Sequence, residues 1–229
     1  VHVVDYISSQ NAVIAILAAL RHVREGGRGT HIDISLLDAA LASMTTAAQR
    51  WLMSGEDQAR IGNRTPGSVV SRLFACQDGR ISVSASSDED FRRFARAVGE
   101  LGLADDPRFS NRAGRAANEA DLDALLEPLF AEASIADWLG RLATERIVCA
   151  PVYDMHQALE DAQAVARGMV VRVPHEKAGE LGLLASPLRM SATPIAGYTA
   201  PPALGADTEA VLTDLLGMPS ERIAELKKA

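Results

Sequence analysis

The stretch from Ile7 to Arg24 limits the possible folds more than any other. Ala12, Val13, Ile14, Ala15, Ile16, Leu17, Ala18, Ala19 and Leu20 form an unbroken apolar run. A helix here carries apolar side chains around most of its circumference, and such a helix is stable only when other structure covers it. The sequence therefore predicts a buried helix over 7–24, closed by Gly26 and Gly27. The run ends at Arg21, His22 and Arg24, short of the roughly 18 apolar residues that a bilayer demands, so the expected cover is protein and no membrane is assigned. A hydrophobic content of 48% over 229 residues suffices for a sizeable core. The chain opens on Val1 inside the pattern, with no initiator Met and no polar lead, and is expected to be a fragment.

Beyond this helix, Thr30 to Ser35 alternates, with Ile32 and Ile34 on one side and His31 and Asp33 on the other, which predicts a half-buried strand. Ser35 and Asp38 stand at the spacing of a capping box, opening a helix from Leu36 to about Met53. Gly55, Gly62, Pro66 and Gly67 punctuate a polar connection over 54–71. Arg72 to Cys76 and Arg80 to Ala85 flank an Asp78-Gly79 turn and predict a hairpin. Ser87 with Asp90, Asn118 with Asp121 and Ser134 with Asp137 mark three helix starts. A short strand is expected at 147–152, two more at 170–173 and 181–184. A proline-rich extended stretch through Pro187, Pro194, Pro201 and Pro202 follows, then two short helices near 208–216 and 220–228, with Lys227 and Lys228 at the last C-terminus.

Thirty acidic and 23 basic residues give a formal charge of −7, with the basic residues dispersed. That pattern lacks the positive stripe that a phosphate backbone requires, so nucleic acid is not an expected partner. Cys76 and Cys149 stand alone, without zinc-ligand or disulfide spacing, and read as reduced thiols of a cytoplasmic protein. No metal site is expected.

Few residues advertise chemistry. Asp5 precedes the apolar helix, and its type admits two readings: a helix cap, or an ionised carboxylate positioned to attack a thioester carbonyl. Asn63 and Arg64 sit in the loop after Gly62, where a guanidinium can meet a carboxylate or phosphate, or simply be solvated. His2, His22 and His31 are scattered and read as ordinary surface or satisfied positions. Asp33 and Asp38 read as strand edge and helix cap.

The order of these signals resembles the class III CoA-transferases, the family of formyl-CoA, carnitinyl-CoA and succinyl-CoA transferases that also contains α-methylacyl-CoA racemase. The resemblance is carried by Asp5, Ile16-Leu17-Ala18-Ala19-Leu20, Gly27-Arg28-Gly29, His31-Ile32-Asp33-Ile34-Ser35 and Leu37-Asp38-Ala39-Ala40. It continues through Gly62-Asn63-Arg64 with Pro66, Asp78-Gly79, Asp106-Pro107-Arg108-Phe109, Pro151-Val152, Ser186-Pro187, Pro201-Pro202 and Leu204-Gly205 with Thr208. Counting back fifteen residues from Leu20, as the family pattern requires, lands on Asp5.

The resemblance implies an α/β fold, the C-terminal part of a Rossmann-like large domain with an inserted small α+β domain. Residues 1–67 and 153–229 would belong to the large domain and 68–152 to the small one. It implies an interlocked homodimer that moves CoA between an acyl-CoA and a carboxylic acid through an aspartyl intermediate on Asp5, with Asn63 and Arg64 as substrate contacts and no cofactor beyond coenzyme A itself. The fragment alone is expected to be inactive. Two alternatives remain: the racemase branch, which uses the aspartate as an acid/base, and a non-catalytic truncated subunit. Against the racemase, Ser84-Ala85-Ser86-Ser87 stands where that branch tends to carry a glutamate. The absence of a glycine-rich loop around Pro66-Gly67-Ser68 argues against a formyl or oxalate substrate.

Overall fold

The computed structural model describes residues 2–227 and has the mixed α/β character expected from the sequence. The first helix, α1 (Val3–Arg24), begins four residues earlier than the apolar pattern and runs for 22 residues. Gly26 and Gly27 end it, their amides donating to the Val23 and His22 carbonyls at 3.1 and 2.9 Å. A Cβ at Gly27 would fall 2.2 Å from Nε2 of the exposed His22 ring, which would have to turn aside.

The predicted burial of α1 is not found, since none of its described residues is buried. Ile14 and Leu17 are 65% and 61% exposed. The apolar circumference is present, but α2 and the segment after Gly27 cover only part of it, leaving Val4, Ile7, Ala12, Ala15 and Ala19 half-buried and the rest exposed. Length and apolar composition would let this helix cross a bilayer. However, Asp5, Ser8, Ser9, Gln10 and Asn11 occupy its first half, and a carboxylate and two amides at bilayer depth are costly. Protein is the better match for its cover.

The strand predicted over Thr30–Ser35 is also absent, because a strand exists only with a hydrogen-bonded neighbour and none reaches this segment among the described residues. Ser35 does cap the next helix, accepting from the Asp38 amide at 3.2 Å. The single helix predicted from 36 to 53 is two: α2 (Leu36–Ser43) and α3 (Thr45–Ser54). The break falls at Met44, next to Thr45 with φ 27°, a backbone value that a β-branched residue rarely adopts. Gly55, at φ 69°, supplies the left-handed stop after α3.

The hairpin appears where predicted, as β1 (Arg72–Cys76) and β2 (Gly79–Ser84), and β3 (Val148–Pro151) adds to β2 in a three-stranded sheet. Helices follow as α4 (Asp88–Ala97), α5 (Gly102–Asp105), α6 (Arg112–Ala117), α7 (Glu119–Ala131) and α8 (Ile135–Thr144). Ser87 and Asp90 form a complete capping box on α4, and Ser134 caps α8. After β3 come α9 (Met155–Glu160), with its own Asp154/Gln157 capping box, and α10 (Ala162–Ala166). A two-stranded antiparallel ribbon, β4 (Val170–His175) and β5 (Gly179–Leu184), pairs Val170 with Leu184 and His175 with Gly179. The proline-rich stretch stays irregular. The chain ends in α11 (Thr208–Ala210), a π-helical turn over Val211–Leu215 and α12 (Ser220–Leu226). Lys228 lies outside the described residues.

The chain divides into two compact units, Val1–Leu73 with Ser84–Ala124, and Phe74–Val83 with Leu125–Ala229. In the first, the core centres on the inner face of α4, where Phe91, Phe94 and Ala95 are buried, together with Phe109 and Leu122. Arg115 of α6 is buried with them. Its guanidinium stacks 4.5 Å from the Phe91 ring centroid and donates to the Phe109 carbonyl at 2.9 Å and to Asp88 at 2.7 Å, so its charge and its donors are met inside the unit. In the second unit, Phe74 of β1 stacks on Phe130 of α7 at 4.1 Å between centroids, and Phe130 meets Trp138 of α8 at 4.5 Å. The Trp138 indole donates to the Phe130 carbonyl at 2.9 Å, which lets the ring be buried without an orphaned N–H. Each such aromatic contributes roughly 1.5–3 kcal/mol by burial.

Candidate functional site

Asp5 does not cap α1. His2 holds that position, and Asp5 lies in the first turn, exposed, where aligned peptide dipoles favour negative charge. Its backbone carbonyl accepts from the Ser9 hydroxyl at 2.8 Å. The first helical turn thus presents a carboxylate to solvent from a helix whose apolar side chains are largely exposed.

Asn63 and Arg64 occupy the loop after Gly62, whose φ of 62° forms the turn. Asn63 is exposed, while the Arg64 guanidinium turns onto α7 and pairs with both Glu119 and Asp123. Asp123 Oδ1 also lies 2.9 Å from Arg72 Nη1 as an ion pair, and the Arg72 side chain is only 5% exposed. Two guanidinium groups and two carboxylates therefore make one neutral, half-buried cluster. The hydrogen bond to Asp123, with the charges of Asp123 and Glu119, raises the Arg64 pKa above its ordinary value against the opposing effect of partial burial, so it stays a cation. Asp123 and Glu119 were missed from sequence. Their i,i+4 spacing puts both carboxylates on one face of α7, but nothing in the sequence says that a residue 55 positions earlier meets them.

Arg64 and Glu119 line a cleft of about 290 Å³ together with Arg50, Asp57, Thr65 and Ser68. Neither Asp5 nor Asn63 is part of its lining. One wall of the loop is held by a cluster of serine hydroxyls that sequence reading also missed. Ser68 and Ser71 are buried and lie 2.7 Å apart, Ser71 reaches Ser84 and Ser86 at 3.0 Å each, and Ser68 reaches Ser86 at 3.1 Å. The Thr65 amide donates to the Ser71 carbonyl at 2.9 Å, and Arg112 donates to the Gly67 carbonyl at 2.7 Å. The loop carrying Arg64 is thereby fixed at several points.

Cys76 and Cys149 are free, half-buried thiols. Burial pushes both Cys76 and Cys149 upward, Cys76 further through the charge of Asp78, and a thiol is reactive only as thiolate. Among the described residues no group of three or more His, Cys, Asp or Glu side chains is placed to hold a metal ion.

Comparisons with known proteins identify the family. Residues 1–208 match the family described as CoA-transferase family III. A succinyl-CoA–D-citramalate CoA-transferase of Chloroflexus aurantiacus is 30% identical over 225 residues, covering 97% of this chain and 56% of that protein. A succinate–glutarate CoA-transferase of Agrobacterium fabrum is 28% identical, covering 94% of this chain and 54% of the relative. Among solved structures, a CAIB/BAIF family protein from Brucella suis superposes with a TM-score of 0.79 at 29% identity, over 94% of this chain and 56% of its own. The chain spans about half the length of the curated relatives it matches. On the strength of a match that runs through almost its whole length, the chain belongs to CoA-transferase family III.

Proposed function

We propose that this chain is part of an enzyme that transfers CoA from an acyl-CoA to a carboxylic acid, with Asp5 as the covalent nucleophile. The observation that carries the reading is the exposed Asp5 carboxylate in the first turn of α1, at the position to which the resemblance read from the sequence assigns the catalytic aspartate. A dicarboxylic acid is the preferred substrate class, as the names of the two relatives above indicate for those proteins. Asn63 is assigned to the substrate surface from its exposed turn. In the assembled enzyme, 68–152 is assigned to a small domain inserted into the larger one, and two copies interlock as a homodimer.

The chemistry follows from the carboxylate. An Asp5 oxygen attacks the thioester carbonyl, the carbon–sulfur bond breaks, and CoA leaves as thiolate with an aspartyl–acyl anhydride behind it. The thiolate then attacks the Asp5 carbonyl carbon, releasing the donor acid as carboxylate and leaving an aspartyl-CoA thioester. The acceptor carboxylate attacks that thioester, forming a second anhydride and freeing the thiolate again. Attack of the thiolate on the acceptor's acyl carbon yields the new acyl-CoA and restores Asp5. No electrons are exchanged, and no proton transfer is needed beyond solvent.

The test uses the full-length protein incubated with succinyl-CoA, trapped with hydroxylamine or borohydride, and analysed by peptide mass spectrometry. Modification of Asp5, lost in Asp5→Ala, is the expected result. An unmodified Asp5 with solvent deuterium entering the acyl α-carbon would replace this reading by the racemase one.

A further inference from the structure

The ribbon of β4 and β5 turns through Glu176, Lys177 and Ala178, between the cross-strand pair His175 and Gly179. Gly179 supplies the left-handed backbone, φ 73°, that so short a turn needs. The amides of Lys177 and Ala178 both donate to one side-chain atom, Nδ1 of His175, at 3.1 and 3.0 Å. That arrangement fixes the chemistry of the ring. A ring nitrogen that accepts a hydrogen bond carries no proton, so the closed turn requires a neutral imidazole with its hydrogen on Nε2. Protonation puts a hydrogen on Nδ1, and both amides lose their acceptor at once.

We propose that His175 is an acid-released latch on the β4–β5 ribbon, closed while its ring is neutral and opened when Nδ1 takes a proton from solvent. No covalent bond changes in this step; two hydrogen bonds are lost and the ring gains one positive charge. The folded turn uses only the uncharged ring, so its stabilisation is present on the alkaline side and is lost on acidification, the opposite sense to a histidine held by a carboxylate. The charged groups nearby are Glu176 and Lys177 on the turn and Arg172 and Glu180 on the ladder. Arg172 and Glu180 pair with each other at 3.3 Å on the other face of the ribbon, because side chains alternate along a strand and His175 shares its face with Val171, Val173 and Leu181. Among the described residues no other element packs extensively on the ribbon, and no charged side chain is ion-paired with His175. The release is confined to the tip. Val173 is only 5% exposed and holds the ladder behind it, whereas Glu176, Lys177 and Ala178 are exposed and depend on the latch.

The experiment measures hydrogen–deuterium exchange of the full-length protein at single-amide resolution, at about pH 7.5 and about pH 5, the range over which histidine ordinarily changes charge, with each rate divided by its intrinsic value at that pH. Protection of the Lys177 and Ala178 amides is expected to fall about three- to tenfold at the lower pH, the effect of losing one net hydrogen bond each, while the Val173 and Leu181 amides keep theirs. His175→Asn retains an acceptor on the same δ position without a titrating ring, so its protection should not change between the two pH values; His175→Leu should be unprotected at both. A parent protein whose two amides are equally protected at both pH values overturns the proposal, as does an Asn variant that loses protection in step with the parent, since Glu176 or Glu180 would then be the titrating group. Nitrogen NMR of histidine-labelled protein adds a test that survives a variant that does not fold: at the higher pH the His175 ring should carry its hydrogen on Nε2, and a hydrogen on Nδ1 refutes the latch.

Discussion

Helix α1 and the aromatic stack of Phe74, Phe130 and Trp138 are both written in strongly apolar sequence, yet they end in opposite environments. The three rings are at most about 2% exposed, whereas no described residue of α1 is buried. The stack is formed by β1, α7 and α8, elements that the chain itself supplies. Helix α1 has an equal demand for cover, and α2 with the segment after Gly27 meets only part of it. An apolar pattern thus states that a surface must be covered and is silent on which polypeptide covers it. The chain spans about half the length of the curated relatives it matches, and α1 is where it leaves the most apolar surface exposed.

Substitutions can break or sharpen this contrast. The largest loss is expected from Trp138→Ala, which empties a packed ring site and should cost about 3–5 kcal/mol in denaturant unfolding; a loss under about 1 kcal/mol would mean that the stack contributes no more than the bare helix does. Next comes the buried Arg115. Its hydrogen bond holds the half-buried Asp88 carboxyl below the usual carboxylate range. A lowered folded-state pKa gives stability that is present above the unfolded value of about 4 and lost as pH falls through the folded one. Acid titration of stability in that window should therefore be steeper for the parent chain than for Arg115→Gln, and equal slopes would remove this link from the first unit's core.

Ser71→Ala takes away a buried hydroxyl shared by three others, with an expected cost of about 1 kcal/mol and faster proteolysis of the 62–71 loop. The smallest effect is expected on α1. Leu17→Ala should leave the stability of this 229-residue chain within about 0.5 kcal/mol. A cost of about 2–5 kcal/mol, typical of a buried leucine, would show that α1 is covered after all. The same substitution is expected to become costly in the full-length protein, because that is where its cover should come from.

Local signals were legible wherever the reason for a structure lies within a few residues. The Asp78-Gly79 hairpin, the Ser87/Asp90 box, the Ser134 cap and the ribbon from Val170 to Leu184 each follow from turn and capping chemistry. The Asp154/Gln157 box was equally readable and was overlooked. The strand expected at Thr30–Ser35 failed because alternation describes a strand's faces but not its neighbour. The break at Met44 left no mark that propensity registers. In the site, the placement of Asp5 near the head of α1 was visible, and Arg64 was singled out. Its partners Glu119 and Asp123 were not, since an ion pair across 55 positions depends on how loop and helix meet.

By itself the sequence determined the family, the mixed α/β class, the helix caps and turns, and the apolar demand of α1, because each rests on residue type and short spacing. Only the tertiary structure decided which of the apolar surfaces are satisfied. It alone put Arg64 and Arg72 against one carboxylate and gathered Ser68, Ser71, Ser84 and Ser86 into a single cluster. Burial and long-range pairing are properties of the space between elements, and that space is set by the packing of the whole chain and not by any window along it.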